Sequence, residues 1–201
     1  MRRLAPLLCA IVAVSVVSGV ATIARASATK VSEAANSNHQ RRAVQTIIIE
    51  EAQRMKFPPA LALAVAKVES DFVATVESHK GARGVMQIMP ATALEEYAIE
   101  PELLWQPRVN IRLGIHFLKR LMVQYKGRTD LALSYYNGGS KVGKLPFARV
   151  LPYTRAYVNK VRYWQRRFRI EDWRRLARSD GGTWKLSRQP GESWKPGRVP
   201  N

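Results

Sequence analysis

The sequence predicts an all-α fold, and three observations carry that prediction. Apolar residues recur at helical spacing through most of the chain, no segment alternates convincingly in the two-residue period of a half-buried strand, and the single cysteine, Cys9, leaves nothing to staple an irregular fold. At 201 residues the chain is long enough for one domain with its own core. Its 46% hydrophobic and 24% charged residues are ordinary for a globular protein, but 33 Lys and Arg against 15 Asp and Glu give a formal charge of +18. Such an excess favours a polyanionic partner, whether nucleic acid, an anionic membrane surface or an acidic cell-wall polymer.

The elements follow in order. Met1-Arg2-Arg3, an apolar run from Leu4 to Ile23 and the small-residue sequence Ala24-Arg25-Ala26 read as an export signal over residues 1–26, with an uncleaved membrane anchor as the alternative. Cys9 lies inside that segment behind Leu8, which is not the small residue of a lipoprotein site, so the mature chain would carry no disulfide, thiol nucleophile or thiolate metal site. Residues 27–40 are polar and read as a flexible linker. Residues 41–56 place Val44, Ile47, Ile48 and Met55 at helical spacing, and Pro58-Pro59 ends this helix and opens the next over Ala60 to Ser70, with Leu61, Val65 and Val68 on one stripe. Asn110 to Tyr125 carries two adjoining apolar stripes, Ile111, Ile115, Leu118 and Met122 beside Leu113, Phe117 and Leu121, as a buried helix would; His116 falls inside this pattern. A short helix begins at Thr129-Asp130 and stops at Asn137-Gly138-Gly139, and residues 154–168 form the last. One domain over 41–178 and a basic, flexible tail over 179–201 complete the organisation.

Within this frame Glu69 stands out. It follows Val68 in the last turn of an Ala-rich helix buried on most sides, where lost hydration and the negative helix end both disfavour a carboxylate, raise its pKa and suit it to general-acid work. A solvent-facing helix-terminal glutamate is the plain alternative.

The neighbouring residues decide between them. Glu69-Ser70, Ser78, Gly81-Ala82-Arg83-Gly84-Val85-Met86-Gln87, Met89-Pro90-Ala91-Thr92-Ala93, Asn110-Ile111-Arg112-Leu113-Gly114, Tyr135-Tyr136-Asn137-Gly138-Gly139 and Arg155-Ala156-Tyr157-Val158 resemble, in order, the signatures of the soluble lytic transglycosylase family. The resemblance covers about residues 41 to 168. It implies a lysozyme-like catalytic domain, related to goose-type lysozymes, acting on bacterial peptidoglycan with Glu69 as acid and then base. It also implies that the muramic N-acetyl group and 6-hydroxyl replace a second carboxylate and water, giving a 1,6-anhydro end. A muramidase of the same fold and a non-enzymatic wall- or membrane-binding protein are the alternatives.

The substrate-binding residues implied are Ser70, Ser78, Met86, Gln87, Tyr136, Asn137 and Tyr157. Several have competing structural explanations: Ser70 as a turn cap, Gln87 as a buried amide tying loop groups, Asn137 as a helix stop, and Met86 as core. Of the other acids, Asp71 cannot share a helical face with Glu69, and Glu77, Glu95 and Glu96 read as surface charges, although Glu77 lies on the loop expected to border the cleft. Tyr135 and Tyr153 stand where the family commonly has Ala and Glu. No cofactor or metal is expected, since His39, His79 and His116 show no ligand spacing. The expected partner is the peptidoglycan glycan strand, with a secretion, flagellar or pilus apparatus as a further candidate and a periplasmic or exported location. Residues 160–201 hold 12 basic and 4 acidic residues and four of the five tryptophans, a pattern that nucleic acid could also use. Export argues against nucleic acid, and indoles stack on sugar rings as readily as on bases.

Overall fold

The computed structural model describes the backbone of residues 11–179 and the side chains of residues 32–171. Six α-helices appear among the described residues: α1 Ile11–Arg54, α2 Pro59–Ser70, α3 Pro90–Tyr97, α4 Pro107–Gln124, α5 Thr129–Gly138 and α6 Arg155–Ser179. Short 3-10 turns at Pro101–Trp105, Gly139–Val142 and Pro152–Thr154 connect them. Among the described residues the only β pairing is two isolated bridges, Glu77 with Arg83 and Arg83 with Ile88, so the fold is all-α as expected. The chain divides into two compact units, Met1–Arg41 and Arg42–Asn201.

In the first unit the structure departs from the expected linker, because residues 27–40 are helical and belong to α1. The segment contains neither Pro nor Gly and is rich in Ala, so nothing in it interrupts the helical hydrogen-bond ladder. Residues 1–10 of the expected signal and residues 180–201 of the expected tail lie outside the described residues.

In the second unit α2 is the central rod. Pro59 sits at its start, where the missing N–H costs nothing, and every residue from Ala60 to Ala66 is buried. Four alanines keep its radius small, which lets α6 pack closely along it. Val158 and Val161 of α6 enter the core, Trp164 stacks on Phe168 with centroids 5.8 Å apart, and the Phe168 ring meets Phe72 edge-on at 6.1 Å. The end of α1 supplies Val44, Ile48 and Ala52, and α4 supplies Ile111, Leu113, Ile115, Leu118 and Leu121, all buried.

The end of α2 positions everything that follows. Asp71 caps it with φ 53° and Phe72 continues at φ 65°, two left-handed residues that turn the chain sharply away from the helix axis. Lys67, one turn back, holds the Asp71 carboxylate in an ion pair. The α3 helix is eight residues long with Ala93 alone buried, too short and too exposed to show an apolar stripe in sequence.

Candidate active site

Glu69 lies in the last turn of α2, half-buried, and faces the start of α6. Burial raises its pKa from 4.5 to about 7, against the Tyr157 hydroxyl, which donates to Oε1 at 2.5 Å and stabilises the charged form. Burial, and then the charge of Glu69, push the Tyr157 and Tyr136 phenols well above their ordinary range, so both rings share the electrostatic surroundings of this carboxyl.

The loop between α2 and α3 is pinned beside this acid by buried hydrogen bonds. Ser70 is buried and its hydroxyl donates to the Val85 carbonyl at 2.8 Å, tying the helix end that carries Glu69 to the loop. Asn110 of α4, fully buried, does the larger share: its amide donates to Arg83 O at 2.8 Å and Leu104 O at 3.1 Å, and its Oδ1 accepts the Met86 N–H at 2.7 Å. Gly84 makes this possible. With φ 74° it adopts the left-handed region, and a Cβ there would stand 2.5 Å from the Asn110 amide nitrogen. The Tyr136 hydroxyl donates to Met86 O at 2.7 Å, so both backbone groups of Met86 are held by side chains from α4 and α5. Ser134 and Thr154 fix the approach of α6: their hydroxyls lie 2.7 Å apart, and Ser134 Oγ accepts the Leu151 N–H at 3.0 Å.

A cleft of about 300 Å³ opens beside this framework, lined by Gln87, Met89, Phe117, Tyr135, Tyr136 and Asn137 among others. Glu69 is not among its lining residues; the connection runs through Tyr136. Gln87 reaches the cleft from a left-handed backbone, φ 48°, while its amide donates to Val76 O and Gly84 O, both at 3.0 Å, so it ties the loop as well as lining the cleft. Asn137 is exposed at the cleft wall. Ser78 closes its own loop: its Oγ accepts the Ala82 N–H at 3.0 Å.

Two sequence expectations need correction. The Met86 side chain is fully buried and packs on Gly114, whose added Cβ would lie 2.6 Å from the Met86 Cβ, so it is core and not a substrate-binding surface. His116 is exposed rather than buried, with Nδ1 3.4 Å from the Tyr97 hydroxyl. The role of Asn110 as organiser of the loop was not read from sequence; a polar residue on the apolar face of α4, among Ile111, Leu113 and Gly114, was the available signal.

Among the described residues the influences on the Glu69 carboxyl are burial and the Tyr157 hydroxyl. Glu77 lies 3.6 Å from Arg83, Glu96 pairs with Arg120, and Glu51 is enclosed by Arg54, Arg108 and Arg112. Tyr153, where the family commonly has Glu, is exposed and donates to Gly138 O at 3.2 Å.

The description "Transglycosylase SLT domain" belongs to the family model that matches residues 46–147. The soluble lytic murein transglycosylase of Escherichia coli strain K12 is 29% identical over 127 residues, covering 53% of this chain and 20% of that protein. The chain therefore spans about a fifth of the length of that relative. The Pseudomonas aeruginosa lytic transglycosylase Slt, solved as an inactive Glu-to-Gln mutant, superposes with a TM-score of 0.51 at 28% identity, covering 60% of this chain and 23% of that one. The 70 kDa soluble lytic transglycosylase of Escherichia coli gives a TM-score of 0.50 at 26% identity, over 60% and 23% of the two chains.

Proposed function

This chain belongs to the transglycosylase SLT domain family, and from that membership we propose that it cleaves the bond between N-acetylmuramic acid and N-acetylglucosamine in peptidoglycan without consuming water. The observation that carries the reading is a solitary carboxyl, Glu69, poised near half protonation at neutral pH and touched by a phenol instead of a second acid. A retaining hydrolase of two carboxylates would hold the pair about 5 Å apart.

The steps use that single group twice. Tyr157 occupies Oε1, which leaves Oε2 for the transferable proton. Glu69 gives this proton to the glycosidic oxygen as carbon 1 of the muramic sugar gains oxocarbenium character, and the N-acetyl oxygen of the same sugar stabilises that carbon. The 6-hydroxyl then attacks carbon 1, its proton passes to the Glu69 carboxylate, and the acid is restored with a 1,6-anhydro ring closed on the product. Burial helps both halves, because a pKa near 7 allows the group to be acid and base at the same pH. Gln87, Tyr136 and Asn137 at the cleft supply neutral groups to hold the glycan, while Ser70 positions the helix end. The order of basic, apolar and small residues over 1–26 supports export to where this polymer lies.

Replacement Glu69→Gln keeps the shape and removes the proton. Digestion of purified peptidoglycan is expected to fall by about three orders of magnitude with the helical circular dichroism unchanged. A folded variant that digests at the parent rate would overturn the assignment.

A further inference from the structure

Several arginines on the α1 and α4 side of the catalytic unit are engaged by carboxylates: Arg108 and Arg112 share Glu51 with Arg54, Arg83 pairs with Glu102, and Arg120 with Glu96. The helix α6 differs. Arg155, Arg162, Arg166 and Arg169 are all exposed, and none has an ion-pair partner among the described residues. At about 100° per residue these four fall within about 60° of one another, and at about 1.5 Å per residue they form a line about 21 Å long. Tyr163 and Ile170, 47% and 51% exposed, flank the line, adding an amphipathic ring and an aliphatic side chain to the charge.

The face of this line matters. Tyr157 and Trp164 lie about 200° and 180° from Arg155 around the helix, toward the core and Glu69, so the arginines point the opposite way. A glycan strand seated at Glu69 meets the Tyr157 side of α6 and does not reach the arginine line. A flat anionic surface meets all four guanidinium groups at once and leaves the Glu69 side open.

We propose that the outer face of α6 is a docking surface for an anionic phospholipid bilayer, which holds the protein with its acid turned away from the lipid. The partner chemistry is a sheet of phosphodiester headgroups, matched by guanidinium forks and by Tyr163 and Ile170 at the headgroup boundary. Each basic residue at such a surface strengthens binding about fivefold, so the line as a whole exceeds a hundredfold on that scale. This surface is independent of the reaction proposed above, and its test needs no turnover.

The full chain would be sedimented with vesicles of phosphatidylcholine containing about a third phosphatidylglycerol, and with pure phosphatidylcholine vesicles, at several salt concentrations; the ratio of the two affinities is the quantity read. R155Q/R162Q/R166Q/R169Q is compared with a charge-matched control carrying K80Q/K141Q/K144Q/R149Q, all four exposed and outside α6. Both are repeated with Glu69→Gln. The proposal expects the anionic-to-neutral ratio to fall at least tenfold in the α6 variant and less than threefold in the control, with or without Glu69, and the parent ratio to fall with salt. Equal losses in the two variants would overturn it, since net charge alone would explain the binding. Unchanged vesicle binding accompanied by lost retention on purified sacculi would overturn it in favour of a wall polymer.

Discussion

Glu69 and Tyr157 oppose each other: burial holds the carboxyl at about 7, and the phenol's hydrogen bond keeps it from rising further. The acid step needs the proton, so initial digestion rates are expected to fall as pH rises through about 7. Tyr157→Phe removes the influence that favours the charged form, so the alkaline limb should move to higher pH, seen in kcat/KM against pH; a limb that stays in place would separate the phenol from the acid. The same shift affects stability. A carboxyl raised from 4.5 to about 7 binds its proton more tightly folded than unfolded, so it penalises folding progressively from about pH 4.5 upward, by at most about 3 kcal/mol above pH 7. Glu69→Gln should therefore raise the urea midpoint at pH 8 and leave it nearly unchanged at pH 4. The raised pKa of Glu69 was legible from its place at the end of an Ala-rich helix, since burial is its first cause. The bond from Tyr157 was not, because 88 positions separate the two and no local spacing connects them.

Among the elements, the loop from residue 71 to 89 depends on others for its shape. It has no regular ladder of its own, and Asn110, Tyr136 and Ser70 supply bonds from three helices. Gly84→Ala would force a left-handed side chain against the Asn110 amide and the Leu104 carbonyl, the latter 2.7 Å from the added carbon. A loss of about 2 to 3 kcal/mol is expected in urea unfolding, with digestion falling further than stability alone explains. Asn110→Leu keeps the branched shape but leaves the Met86 N–H without a partner, for a similar loss of about 2 to 3 kcal/mol by the same measurement. The long helices were readable because their apolar stripes are wide and Pro59 marks a start. The α3 helix was not, with one buried residue, and Met86 was misplaced because a motif gives the order of residues and not which way a side chain points. The helical state of residues 27–40 was missed because polarity was taken as a linker signal, although no Pro or Gly breaks the segment.

Across the whole molecule, charge has two uses. Glu51 is fully buried, and although burial alone would raise its pKa, hydrogen bonds from Arg112, Arg54 and Arg108 outweigh it and hold the group at about 2. Arg112 Nε lies 2.8 Å from Oε2, and Arg108 also reaches Glu50 at 2.9 Å, so the end of α1 is locked to α4. A carboxyl depressed from 4.5 to about 2 contributes stability that is fully present above about pH 4.5 and is lost as pH falls through about 2. Glu51→Gln should cost about 2 to 3 kcal/mol at pH 7 in urea unfolding, and the difference from the parent should vanish near pH 2. Composition showed the +18 but not its division into arginines paired across α1 and α4 and, among the described residues, arginines of α6 with no ion-pair partner, since pairing is a property of the packed helices. In the reaction we propose, one acid closes a sugar ring where a hydrolase would admit water. Mass spectrometry of the products from purified peptidoglycan distinguishes the two: ring closure gives muropeptides about 18 Da lighter than hydrolysed ends and unreactive to borohydride, whereas ends that carry the elements of water and are reduced by borohydride would rule it out.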